Sequence, residues 1–145
     1  MTSERVRLPL TIAVPIPPAS LGKGASRHWL EVRREWESAK WEAHVAIRDV
    51  LMERGEWYTD GSRDPHTALV CDVTWCYWNK SHEPDPDNAY IRTAAARDVM
   101  QDLGIVDNDR NVAIGVVRSQ RVRGKVNAKV IITFRLPTQP VGQAT

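Results

Sequence analysis

The hydrophobic period of this chain switches from two to about 3.6 and back again, twice, and this switching narrows the folds open to it. Leu8, Leu10, Ile12, Val14 and Ile16 alternate with other residues, the pattern of a half-buried strand. Pro15, Pro17 and Pro18 end that strand, because proline cannot donate to a ladder. Residues 19–28, ASLGKGASRH, read as a loop rich in glycine and cations. From Trp29 to about Arg54, Val32, Trp36, Ala39, Ala43, Ile47, Val50 and Leu51 recur at three and four residues. That spacing predicts an amphipathic helix, with Gly55 suited to its C-cap.

Residues 55–65 are rich in turn formers and are expected to be a mobile loop. A second strand follows, with Leu69, Cys71, Val73, Trp75 and Tyr77 on one face. After a polar loop, a second helix is expected from Asn88 to Gly104, with Asp87 as its N-cap. A short turn leads to a third strand from Val112 to about Val122. Gly124 suits a tight turn into a fourth strand with Val126, Ala128, Val130, Ile132 and Phe134 alternating, so a terminal hairpin is expected. The expected fold is α+β: a mixed sheet with two helices packed on it, in the order β-α-β-α-β-β. Residues 1–145 are expected to form one domain, frayed at 1–6 and 137–145; the strand pairing order stays open.

Composition excludes several classes. Hydrophobic residues are 42% and charged residues 26%, ordinary for a soluble globular protein. No apolar run approaches the roughly 20 residues of a membrane span. The first residues, MTSERVRLPL, lack the apolar core of a secretory signal, so a cytoplasmic protein is expected. Cys71 and Cys76 lie five apart in a strand, hence on opposite faces and roughly 16 Å apart, too far for a disulfide. Net charge is +2 but segregated. Between Glu83 and Asp109 acids dominate, whereas from Arg110 onward there are cations and no acid. An acidic cluster beside a basic flank suits a protein that holds a metal against a polyanion.

The most informative stretch is Asp85-Pro86-Asp87-Asn88. Two carboxylates two residues apart in extended chain point the same way, and Pro86 favours an extended Asp85. A second acidic group, Asp107-Asn108-Asp109, follows the helix. About 15 helical residues span roughly 22 Å, so the chain must fold back for a third acid to join the first two. Three converging carboxylates make a hard-oxygen site for Mg²⁺, with Mn²⁺ as its substitute, and such sites cleave phosphodiesters. The plainer reading is that Asp87 caps a helix and Asp-Asn-Asp makes a turn.

Taken together, these pieces resemble the RusA family of Holliday junction resolvases, especially its phage members, over roughly Leu8 to Phe134. The resemblance rests on an apolar strand running into Pro17-Pro18, a Ser/Gly/Lys loop, and His28-Trp29 at the start of the long helix. It continues with D-x-D-N at Asp85, Asp87 and Asn88, Asp98 in the following helix, Gly104, and the acids Asp107 and Asp109 before a basic C-terminal region. It implies that Asp85, Asp87 and Asp109 bind metal and are catalytic. Asp109 is preferred by its distance from Gly104 and its position before the third strand, with Asp107 the alternative. Family members carry a lysine after D-x-D-N; this chain has none, and Arg92 is the nearest cation to steady a scissile phosphate. Asp98 is expected to be structural, a partner for Arg92 or Arg97. DNA contacts are expected from Lys23, Arg27, His28, Arg118, Arg121, Arg123 and Lys125. His82, three residues before Asp85, is a lesser metal candidate. The tryptophans are expected mostly in the core, Trp29 and Trp78 included, although these two flank the proposed site.

The implied activity is a Mg²⁺-dependent endonuclease that resolves four-way DNA junctions by paired symmetric nicks. The implied partners are branched DNA and a second copy in a homodimer, with no membrane and no nucleotide cofactor. Two rivals remain: a metal-dependent flap or single-strand nuclease, and a non-catalytic DNA-binding protein with a structural metal site.

Overall fold

A computed structural model describes residues 5–22, 29–57 and 63–142. The strands are β1 (Leu10–Val14), β2 (Leu69–Tyr77), β3 (Val112–Arg121) and β4 (Lys129–Arg135). The helices are α1 (Trp29–Glu53), α2 (Pro86–Arg92) and α3 (Ala94–Asp102). The architecture is α+β with a four-stranded mixed sheet in the order β1-β4-β2-β3. β4 runs antiparallel to both neighbours, with Phe134 opposite Leu10 on one side and Cys71 on the other. β2 and β3 are parallel, with Leu69 opposite Val112 and Tyr77 opposite Arg121.

Period-two alternation builds one face of the core. Leu10, Ile12 and Val14 line up with Val130, Ile132 and Phe134, then with Cys71, Val73 and Trp75, all buried. α1 covers them with Ala43, Ile47 and Leu51, and α3 adds Val99 and Met100. Among the described residues no helix is long and apolar enough to cross a membrane.

The expected terminal hairpin does not form. β3 and β4 are successive in sequence, but β2 lies between them, so the 122–128 connection crosses the end of β2. Side-chain chemistry explains the order. The stretch Val130–Phe134 carries no charge and suits an interior strand. β3 ends in Arg118, Ser119, Gln120 and Arg121, largely exposed, and an edge strand lets such residues reach water. β4 also begins later than the alternation suggests. Val126 sits in a 3₁₀ turn, Lys125–Asn127, and is 92% exposed.

The second helix is also interrupted. Thr93 leaves helical geometry at φ −101°, ψ 8°, separating α2 from α3. Its hydroxyl donates to the Tyr90 carbonyl at 2.8 Å, a side-chain bond that competes with the helical ladder. Buried Arg97 reaches back across the break, donating to the Tyr90 carbonyl at 3.0 Å and to Thr93 Oγ1 at 3.1 Å. Its guanidinium also lies over the Tyr90 ring, 3.7 Å from the centroid.

The ends are tied more firmly than expected where they are described. Val6 is buried, and the Arg7 backbone N–H donates to Glu56 Oε2 at 2.8 Å. Gln139 donates through Nε2 to the Leu8 carbonyl at 2.9 Å, holding the segment after β4 against the start of the chain. Of the loop expected to be mobile, residues 58–62 lie outside the described residues. Arg63 is buried and donates to the carbonyls of Glu56 and Leu103.

β3 carries one residue more than β2 between the pairs Cys71–Ile114 and Val73–Val117, a β-bulge at Gly115–Val116. Asp72 occupies it. Its Oδ1 accepts from the Val116 N–H at 2.8 Å, and its Oδ2 pairs with Arg135 Nε at 2.7 Å. A Cβ on residue 115 would overlap Asp72 Oδ1, so glycine is required there.

Cys71 and Cys76 are free and buried. Burial pushes the Cys71 thiol up to about 11, with the Arg97 guanidinium pulling the other way, and burial raises Cys76 as well. At pH 8 Cys71 is therefore protonated and enclosed, and an Ellman titration of native protein should release almost no colour until urea unfolds the chain. Rapid native labelling of either cysteine would refute this arrangement.

Candidate functional site

The D-x-D-N segment turns from extended chain into helix. Asp85 is extended, at φ −62° and ψ 149°, and is the N-cap of α2; Pro86 follows at the first helical position. Asp87 thus lies in the first turn, two positions further in than the capping role expected for it. The Asp85 side chain makes no capping hydrogen bond. Among the described residues neither carboxylate has an ion-pair or hydrogen-bond partner, and both are exposed. The plainer reading, in which a cap consumes the acid, does not describe this turn. The helix N-terminus favours the two negative charges there. Asn88 packs on the loop that follows the N-terminal prolines, since a Cβ on Gly22 would overlap Asn88 Oδ1.

The second acidic group divides its duties. Asn108 caps a 3₁₀ turn, Asp109–Asn111, by accepting from the Arg110 N–H. Asp107 Oδ1 accepts from Asn111 Nδ2 at 2.8 Å, so this carboxylate serves the turn. Asp109 donates its backbone N–H to Gln101 Oε1 at 2.8 Å, while its carboxylate has no partner among the described residues. Within this turn Asp107 is thus engaged and the Asp109 carboxylate is free among the described residues.

The acids are not gathered into one cluster. Asp109 directly precedes the N-terminal end of β3, whereas Asp85 follows the loop that leaves the C-terminal end of parallel β2. Tyr90 links α2 to the start of β3, its hydroxyl donating to the Val112 carbonyl at 3.5 Å. Among the described residues no three His, Cys, Asp or Glu side chains lie close enough to hold a metal. Among the described residues the three carboxylates therefore do not form the expected closed centre. What the structure offers is a pair of uncommitted hard-oxygen ligands, and Mg²⁺ is usually held by one or two carboxylates, with waters and substrate phosphates completing its shell.

Arg92 does not stand beside the exposed acids as a free cation. It is half-buried, its guanidinium 4.7 Å from the centroid of buried Trp75, and it donates to the Pro17 carbonyl. Burial lowers its pKa. It lines a cavity of about 180 Å³ between β1 and the helices, where it joins the proline segment to α2. Asp98 is structural, as expected, but its partner is neither Arg92 nor Arg97. Lys40 of α1 pairs with Asp98 at 2.9 Å and with Asp102 at 2.7 Å, and hydrogen bonds to the two acids raise the lysine's pKa. His82 packs edge-on against Trp78, ring centroids 6.0 Å apart, and joins no metal-binding group among the described residues.

Of the expected DNA contacts, Lys23, Arg27 and His28 lie outside the described residues. Arg121, at the end of β3, and Arg123 and Lys125, on the crossover, are exposed and have no ion-pair partner among the described residues. Arg118 instead lines a small cleft of mixed character with Asp72, Thr74, Thr11 and Thr133 on the sheet face away from the helices. Trp29 and Trp41 are not core residues; they are 64% and 61% exposed. Sequence reasoning overlooked the Asp72–Arg135 pair, although an acid inside the apolar run Leu69–Tyr77 was a readable signal. No protein-family model matches this chain, and no curated protein matches it.

Proposed function

We propose that this chain is a Mg²⁺-dependent endonuclease that cuts four-way DNA junctions by paired symmetric nicks, with a RusA-like fold and a two-fold dimer as its working form. The supporting observation is the turn at the start of α2, where Asp85 and Asp87 stand exposed and free of structural duties. In this reading the two carboxylates hold Mg²⁺, which supplies charge neutralisation at the scissile phosphate. Asp109, whose carboxylate is free among the described residues but stands apart from the Asp85–Asp87 pair, is the third acid of this reading. Arg121, Arg123 and Lys125 position the DNA through its backbone without reading sequence.

A second reading, DNA binding without cleavage, draws support from the separation of the acids and the inward turn of Arg92. A labelled four-way junction, a flap and a plain duplex, each with and without Mg²⁺, separate the two. Symmetric nicks in the junction alone support the endonuclease; binding without nicks supports the second reading.

The crossover makes a quantitative prediction. Each phosphate contact contributes a slope of about −0.9 to log K against log salt. Replacing Arg121 and Arg123 by alanine should make the slope shallower by up to roughly 2. An unchanged slope and affinity would show that these arginines do not touch DNA.

A further inference from the structure

Short side chains leave a hole beside β1. Pro15, Pro17 and Pro18 carry the chain off the sheet, opposite Ala39 and Ala43 of α1 and Ala95 and Ala96 of α3. Alanines do not close the space between these elements, and the cavity of about 180 Å³ remains. Its polar lining is Ser38, Glu42, Thr93 and Arg92, and the rest is apolar. Arg92, the last residue of α2, is half-buried there and lacks a counter-ion. Of its five N–H donors, one on Nη2 reaches the Pro17 carbonyl, and the guanidinium lies 4.7 Å from the Trp75 ring centroid. Nε is buried with no hydrogen-bond partner, and no acceptor among the described residues meets Nη1. Glu42, the one acid of the lining, is exposed and forms no ion pair with the guanidinium. The Thr93 hydroxyl is already committed to the Tyr90 carbonyl. Burial lowers the pKa of Arg92, and no carboxylate acts against that. A desolvated charge without a partner is costly, and an aromatic face offsets only part of the cost.

We propose that this cavity binds a small carboxylate with an apolar body, the carboxylate on Arg92 and the body against the alanines and prolines. A guanidinium fork matches a carboxylate in plane and accepts it with paired hydrogen bonds. An apolar cavity of about 150 Å³ holds one benzene ring, so the class is a carboxylate on a single ring or a short branched chain. Arg92 stands at the end of α2 opposite Asp85, so this site is separate from the exposed acids. It does not depend on the nuclease reading.

Benzoate is the probe, titrated into the full chain and followed by proton–nitrogen correlation spectra. It should shift the amides of Ala39, Ala43, Thr93 and Ala95 saturably, with a Kd of about 1 mM or tighter. Benzamide has the same shape without the charge and should bind at least about tenfold more weakly. Inorganic phosphate at matched ionic strength has charge without an apolar body and should leave these amides unmoved. Arg92→Met keeps an unbranched apolar chain in place and should weaken benzoate at least about tenfold, with benzamide unchanged. Ala39→Leu fills the cavity from α1, leaves the guanidinium intact and should abolish binding of both ligands; it decides the matter even where Arg92→Met does not fold. Equal binding of benzoate and benzamide would overturn the proposal, as would phosphate shifting the same amides. So would full benzoate affinity in either variant, or no saturable shift in the wild type at about ten times the expected Kd.

Discussion

Asp87→Asn is expected to lower junction cleavage more than tenfold, at least about 1.4 kcal/mol of barrier, and to leave junction affinity nearly unchanged. The substitution keeps the shape of an exposed side chain that has no partner to lose, so stability should fall only by the roughly 0.3–1 kcal/mol that a helix N-terminus gives a negative charge. What goes is a negative oxygen ligand beside a second one. Asp85→Asn and Asp109→Asn should behave in the same way. Asp107→Asn should disturb only the turn in which that carboxylate accepts from Asn111. Gel assays on one labelled junction, with binding measured in parallel in Ca²⁺, decide the matter. An Asp87→Asn protein retaining more than a tenth of the rate would remove Asp87 from the site. Activity lost with Asp107 and kept with Asp109 would exchange their roles.

The largest stability loss is expected at Asp72. Both members of the Asp72–Arg135 pair are about nine-tenths buried, and Asp72 also accepts the bulge N–H of Val116. Asp72→Ala leaves a buried guanidinium and a buried N–H without their acceptor. Breaking a buried pair from one side costs about 3–5 kcal/mol. Urea unfolding should show a lower midpoint with an unchanged m-value. Arg135→Ala in addition to Asp72→Ala should cost less than the two single losses combined, because the second change removes the stranded charge. Gly115→Ala strikes the same node from the bulge side, where its methyl would overlap Asp72 Oδ1. A loss below about 1 kcal/mol for Asp72→Ala would mean that water reaches the pair and screens it.

Elements built from long, strictly periodic runs were legible. The three-and-four apolar spacing of α1 and the alternation of β1 appear almost as read, because burying one face is a local property of the pattern, whereas interior β2 is buried on both faces. Pairing was not legible. Val112 to Phe134 reads as two strands about a glycine, yet which strand takes the interior depends on comparing Val130–Phe134 with the charged end of β3 across the whole sheet. The helix break at Thr93 was hidden for a similar reason. An alanine-rich run argues for continuity, and only the distant approach of Arg97 to Tyr90 rewards a break. At the site, the residue types and the pairing of Asp85 with Asp87 were readable. The position of Asp109 was not, since it depends on how far two loops return along the sheet.

The interior place of β4 bears on how the protein is made. Among the described residues β1 pairs in the sheet with β4 alone, and β2 meets the rest through β3 and β4. On a ribosome, β1 emerges first and waits while more than a hundred residues follow before Lys129–Arg135 can close the ladder. Until then two apolar strands present unsatisfied edges, which invite association between nascent chains. Closure joins residues as distant as Thr11 and Thr133, whose hydroxyls meet at 2.9 Å, so the loop-closing entropy falls late and slows folding. A chain released before Lys129 would therefore lose more than one strand: it would lack the seam that holds the two halves of the sheet together.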